Sequence, residues 1–261
     1  MLSREAMHMS LFDKLKKEAG RSSQSFQIQM FTGVYPIDRT SFRDVFSACL
    51  GRMLQVQRAF EEVVIRGREF TVDLTFGKLK VGSEEYSLQF LGTESAVSGT
   101  WLWGWENING LDENLLKLAY ETRQKGTDWN LAQLKEKSFP LEEGIGGREL
   151  SVVACGISAD NYAYIRYSYE GGTAFLAVSG LPAEVFAAED VDRFATAVMQ
   201  GIQRFDVDHK VFLESYLRWN GTPYEWDGRY LTAHFSLDLI VTFEKKDGLL
   251  RIAGMKTNRN L

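Results

Sequence analysis

The chain is poor in cysteine, proline and histidine, with two, four and three of these in 261 residues. Cys49 and Cys155 stand far apart, each flanked by apolar residues, the pattern of buried reduced thiols in a cytoplasmic protein and not of a disulfide framework. Apolar surroundings raise a thiol's pKa, so neither cysteine is expected to act as a nucleophile. His8, His209 and His234 are scattered, and neither His-x-x-x-His nor Cys-x-x-Cys occurs, so no zinc site is expected. Asp206, Asp208 and His209 are near enough in sequence to ligate a cation, yet Asp208 reads more economically as a helix cap.

Long apolar runs are also missing. No stretch reaches the roughly 18 uninterrupted apolar residues of a membrane span, and residues 1–20 lack the apolar centre of a secretory signal. A cytoplasmic location follows as the expectation, and Asn220-Gly221-Thr222 then has no meaning as a glycosylation sequon. Thirty Lys and Arg against thirty-five Asp and Glu give a net charge of -5, so no positive field exists to hold nucleic acid. Signatures of catalysis are absent too. Gly144-Ile145-Gly146-Gly147-Arg148 lacks the Lys-Ser/Thr of a phosphate loop, and Gly156-Ile157-Ser158-Ala159-Asp160 lacks the second glycine of a nucleophile elbow. The sequence therefore assigns no catalytic residue, no metal ligand and no cofactor, and leaves open whether the protein is an enzyme.

What is present is the balance of a folded globular chain, 44% hydrophobic, 25% charged and 13% aromatic. Residues 1–24 read as an amphipathic arm. Leu11, Phe12 and Leu15 share one helical face there, so residues 9–18 either cap the domain or touch a membrane surface or partner. Met7 and Met9 are alternative starts to Met1. Phe26–Val34 reads as a strand or arm. Ser41 then caps a long helix over 40–66 in which Phe42, Val45, Phe46, Cys49, Met53, Val56, Phe60 and Val63 recur at helical spacing, with Gly51 as a bend or a close contact.

From Phe70 the period falls to two, and strands over 70–76, 78–81 and 86–90 form a meander, followed by a polar loop over 93–98. Asp112 caps a helix that Gly126 stops, Trp129, Leu131 and Leu134 mark a short helix, and Phe139-Pro140 is a break. A helix over 149–157 precedes a hairpin turning at Glu170-Gly171-Gly172, and two further helices, the second from Asp208 to Trp219, lead to a three-stranded meander with a turn at Lys246-Asp247-Gly248. The expected class is α+β, antiparallel meander sheets covered by helices. The expected organisation is a main domain over 25–181 and a C-terminal unit over 182–261, or both as one compact body, with any boundary near 180–188.

Trp101, Trp103 and Trp105 alternate along one expected strand face. Such a row is either a dense core layer or a stacking platform for a ligand, and core packing with at most one ring at a pocket rim is the reading adopted. Glu106 and Asn107 follow at the mouth of the sheet, and with Asp73 and Tyr164 they are the candidate polar contacts of a pocket where the tryptophan strand meets its covering helix.

Thr100-Trp101-Leu102-Trp103-Gly104-Trp105-Glu106-Asn107, with Leu91-Gly92 before it, resembles a bacterial family of unknown function whose members carry a Thr-Trp-Leu-Trp-Ala-Trp-Ala-Asn-like strand. The order of a helix with a Gln-x-Arg-like segment at Gln57-Arg58, a meander, the tryptophan strand and a leucine-containing helix extends that resemblance over residues 50–180. Gly104 and Glu106 depart from the alanines usual there. The resemblance implies a fold unit and no reaction. The function expected is that of a non-enzymatic binding or accessory protein with a protein partner, the alternative being a small-molecule-binding protein or enzyme with its pocket beside the tryptophan strand.

Overall fold

Ser41 opens the first described helix by accepting the Asp44 N–H at its hydroxyl. The computed structural model describes residues 37–246 and 248–258. The arm over 1–24, the stretch Phe26–Val34 and Asp247 of the expected turn lie outside the described residues. Helix α1 (Phe42–Phe60) continues as a π-helical turn over Glu61–Ile65 and stops at Arg66, whose φ of 52° is left-handed. The positions picked out by helical spacing, Phe42 to Phe60, are its buried face. Gly51 is a packing contact: a β-carbon there would lie 2.4 Å from Tyr216 Cβ.

Seven strands form the larger sheet: β1 (Phe70–Asp73), β2 (Lys78–Val81), β3 (Glu84–Ser95), β4 (Thr100–Trp103), β5 (Ser138–Pro140), β6 (Ala163–Tyr169) and β7 (Gly172–Ser179). All its pairings are antiparallel. The long strand β3 organises it. One edge of β3 pairs with β7 from Ser87 to Ser95, while the other takes β2 along its first half and β4 along its last residues. A bulge at Leu91, between the Phe90–Leu176 and Gly92–Phe175 pairs, reverses the in–out alternation of β3 midway. The outer strands β1 and β6 are not paired with each other. Even so, Phe70 and Ile165 line one hollow, and Leu74 and Tyr167 line another. The sheet is therefore curled, its two margins facing across a gap.

Helices α2 (Lys117–Trp129), α3 (Ala132–Lys135) and α4 (Gly147–Ile157) belong to this half of the chain. After them come α5 (Val191–Arg204) and α6 (His209–Asn220), then a four-stranded antiparallel sheet in the order β11-β10-β9-β8, from β8 (Tyr224–Asp227), β9 (Tyr230–His234), β10 (Asp238–Lys246) and β11 (Leu249–Asn258). Helix α1 packs on α4, α5, α6 and β6, and all the buried hydrophobic residues described except Leu115 and Val211 form one cluster. Phe194 of α5 stacks on Tyr216 of α6 with centroids 4.1 Å apart.

The α+β class with antiparallel sheets is the architecture observed. Several local expectations are corrected. Strand β1 ends at Asp73, and Phe76 is 76% exposed in the turn that follows. The polar loop expected at 93–98 instead carries the end of β3 to Ser95. Trp105 lies in a 3-10 turn, Gly104–Glu106, and not in the strand. Asp112 caps a 3-10 turn, Glu113–Leu115, ahead of α2. Gly126 is interior to α2, where a β-carbon would meet the Leu134 Cβ at 2.6 Å, and Asn130, at φ 53°, ends the helix. Phe139-Pro140 is strand β5 on the sheet edge, where a missing N–H is tolerated. The C-terminal meander gains a fourth strand, β8.

Candidate functional site

The three indoles form a closed column. Trp101 meets Trp103 edge-on at 5.1 Å and 87°, Trp103 stacks on Trp105 at 4.7 Å and 12°, and Phe175 closes the far side of Trp101 at 5.7 Å. Their exposures of 0%, 1% and 5% leave no face for a ligand to stack on. The sequence provides room for them with glycine. A β-carbon on Gly92 would lie 2.5 Å from the Trp101 ring, and one on Gly104 would lie 2.8 Å from Phe90 Cδ1 and from its carbonyl oxygen. Trp103 Nε1 donates to the Gln133 carbonyl at 2.9 Å, whereas the indole N–H groups of Trp101 and Trp105 are buried without a partner among the described residues.

The opposite face of this strand is open. Leu102 floors a groove of about 410 Å³ with Leu74, Phe90, Ile108, Leu111, Tyr167 and Tyr169, and no Asp, Glu, Lys or Arg lines it. Ile108 is 72%, Tyr167 47% and Tyr169 45% exposed at its rim. Asn107 shapes one wall. Held at φ 43°, it donates to the Leu111 carbonyl at 2.9 Å and accepts the Leu111 N–H at 2.7 Å, closing the loop that presents Ile108. Trp103 borders this groove but is only 1% exposed.

Tyr164 belongs to a second hollow, of about 750 Å³, between the π-helical turn after α1, the start of α4 and the margin of β6. Gln57 fixes the strand there, its amide donating to the Tyr164 carbonyl at 2.9 Å and accepting the Tyr164 N–H at 2.8 Å. Two carboxylates cap α4: Glu149 accepts the Gly146 N–H at 3.1 Å, and Glu94, from the end of β3, accepts the Gly147 N–H at 2.5 Å. Arg148 pairs with Glu149 at 2.7 Å and lies over the Phe205 ring at 4.7 Å. Burial raises the Tyr164 phenol well above its ordinary value, so it remains a neutral donor.

The sequence-derived polar candidates do not converge. Asp73 accepts the Phe76 N–H at 3.1 Å as a turn residue, and Glu106 pairs with Lys137 at 3.6 Å; neither lines the groove or the second hollow. Sequence reasoning missed Glu94 and Glu149. For Glu149 the signal was its place three residues after Gly146 at a helix start, but Glu94 comes from a stretch read as loop. Both thiols are buried and unbridged, and burial pushes Cys49 up to about 12. Asp206 pairs with Arg43 at 3.1 Å, Asp208 caps α6 through the Lys210 and Val211 N–H groups, and His209 accepts the Ile252 N–H at 3.0 Å. Among the described residues no group of His, Cys, Asp and Glu is placed to hold a metal ion, and no helix is long and apolar enough to cross a membrane.

Curled antiparallel sheet, helical cover and two hollows along the open margin define an α+β protein with an enclosed tryptophan column. Residues 43–181, just over half of the chain, match the family of unknown function DUF6882, and the chain belongs to that family. The match begins within α1 and ends just after β7, so it contains the whole curled sheet and every residue of both hollows. No curated protein and no solved structure matches the chain.

Proposed function

We propose that this is a binding protein of the cytoplasm whose groove, on the face of the tryptophan strand opposite the indoles, receives apolar side chains of a protein partner. The observation that carries the reading is the uncharged groove floored by Leu102 and rimmed by the exposed side chains of Ile108, Tyr167 and Tyr169. Tyrosine and aliphatic anchors around a desolvated floor are the composition of interface centres, and an open trough suits an inserted side chain better than an enclosed metabolite. The enclosed indole column behind Leu102 makes that floor rigid, so little ordering cost falls on association.

Selection of displayed peptides against the immobilised full chain tests this. The expected result is enrichment of peptides with one or two large apolar anchors, whose binding Leu102→Arg abolishes. Enrichment without apolar anchors, or binding indifferent to Leu102→Arg, overturns the reading.

A further inference from the structure

The hollow beside Tyr164 has a different chemistry from the groove. Its back is aromatic, with Phe60 and Phe175 buried and Phe70 on the facing margin of the sheet. Its polar groups fall into two sets. Gln57, Arg148 and Glu149 are engaged with one another's neighbours: Gln57 with the Tyr164 backbone, Glu149 with Gly146 and Arg148, Arg148 also with the Phe205 ring. Glu61 and Arg166 have no ion-pair partner among the described residues, and both are exposed at the mouth. Glu94 has one oxygen on the Gly147 N–H and the other unengaged, and the Tyr164 hydroxyl has no hydrogen-bond partner, again among the described residues.

The lining thus holds free groups of both signs around an apolar back wall. A simple anion would find Arg166 but face the carboxylates of Glu61, Glu94 and Glu149; an organic cation would find Glu61 and Glu94 but face Arg148 and Arg166. A ligand carrying both charges offers each free group its opposite and adds no net charge to the hollow, and an apolar body displaces water from the three phenylalanines. At the start of α4, Glu94 and Glu149 already occupy the Gly147 and Gly146 N–H groups and place two carboxylates beside it. About 750 Å³ lies within the range of small-molecule pockets.

We propose that this hollow binds a free apolar α-amino acid, its carboxylate on Arg166, its ammonium between Glu61 and Glu94, and its side chain against Phe60, Phe70 and Phe175. Tyr164 donates its hydroxyl to the same carboxylate. The site is separate from the groove at Leu102, and Leu102→Arg leaves it intact.

Titration calorimetry of the full chain with L-phenylalanine, L-leucine, phenethylamine and 3-phenylpropionate tests the assignment. The expected result is saturable binding of at least one of the two amino acids, with phenethylamine and 3-phenylpropionate each weaker by about tenfold or more. Arg166→Gln, at an exposed position, weakens the amino acid by about tenfold and does not weaken phenethylamine, which loses a repelling charge. Phenethylamine binding as tightly as phenylalanine would mean an organic-cation site, and 3-phenylpropionate doing so an anion site; either overturns the proposal. So does the absence of saturation by both amino acids up to about 10 mM, or amino-acid binding indifferent to Arg166→Gln.

Discussion

The Gln57 carboxamide takes both backbone groups of Tyr164, accepting its N–H at 2.8 Å and donating to its carbonyl at 2.9 Å, so that one side chain of α1 replaces a neighbouring strand along the margin of β6. Unpaired peptide groups on a sheet margin are costly when buried and adhesive when exposed.

Gln57→Ala removes both bonds and destabilises the fold by about 1–3 kcal/mol. Hydrogen exchange checks the location of the loss. The Tyr164 amide loses its protection, while the Ile165 amide, on the β7 side of the strand, retains it. Equal loss at both positions would show that the whole strand detaches and that Gln57 is not a local clamp.

The indole column offers a comparison between two chemically identical substitutions. Trp103→Phe removes ring volume and also strands the Gln133 carbonyl, whereas Trp101→Phe removes ring volume together with an N–H that has no partner among the described residues. Trp103→Phe is therefore expected to cost about 1–3 kcal/mol more than Trp101→Phe, read as the difference in urea midpoints at equal m. Equal midpoints would show that the Gln133 bond contributes nothing net.

His209 gives the protein an acid-side dependence. Burial, aided by the nearby Arg251 and Arg43 charges and opposed by Asp208 and Asp206, pushes its pKa from 6.5 down to about 4, and its neutral ring accepts the Ile252 N–H. The unfolded chain then binds this proton more readily than the folded one. The contribution is complete above about pH 6.5 and is lost as the pH falls toward about 4, on the order of 2–3 kcal/mol in all. Denaturation curves across that window should show a shallower pH slope for His209→Gln than for the parent. Identical slopes would remove His209 from the account.

Local signals in the sequence proved readable where a cap, a spacing or a turn acts over a few residues. Ser41 and Asp208 as caps, the buried face of α1 and the hairpin between β6 and β7 are of that kind. The tryptophans read as core because large rings are the greatest source of burial, and they are buried; an apolar Leu102 between them suggests cover on the other face as well, yet that face floors an open groove. Features that depend on distant partners were hidden. Alternation gives no sign of a strand that serves two neighbours on one edge, as β3 does with β2 and β4, and the bulge at Leu91 reverses the alternation midway. Glu94 reaches its role at the start of α4 only through an amide 53 positions away, so no window along the chain contains both. The groove went unseen for a related reason, since Leu74, Leu102 and Tyr167 share a wall only once the sheet has curled.

Because β1 and β6 face each other without pairing, the sheet is a cylinder left unbuttoned. Both recesses straddle that slit, with Phe70 of β1 and Leu74 just beyond it on one flank and Ile165 and Tyr167 of β6 on the other. Gln57 pins one lip in place from the helical layer beneath.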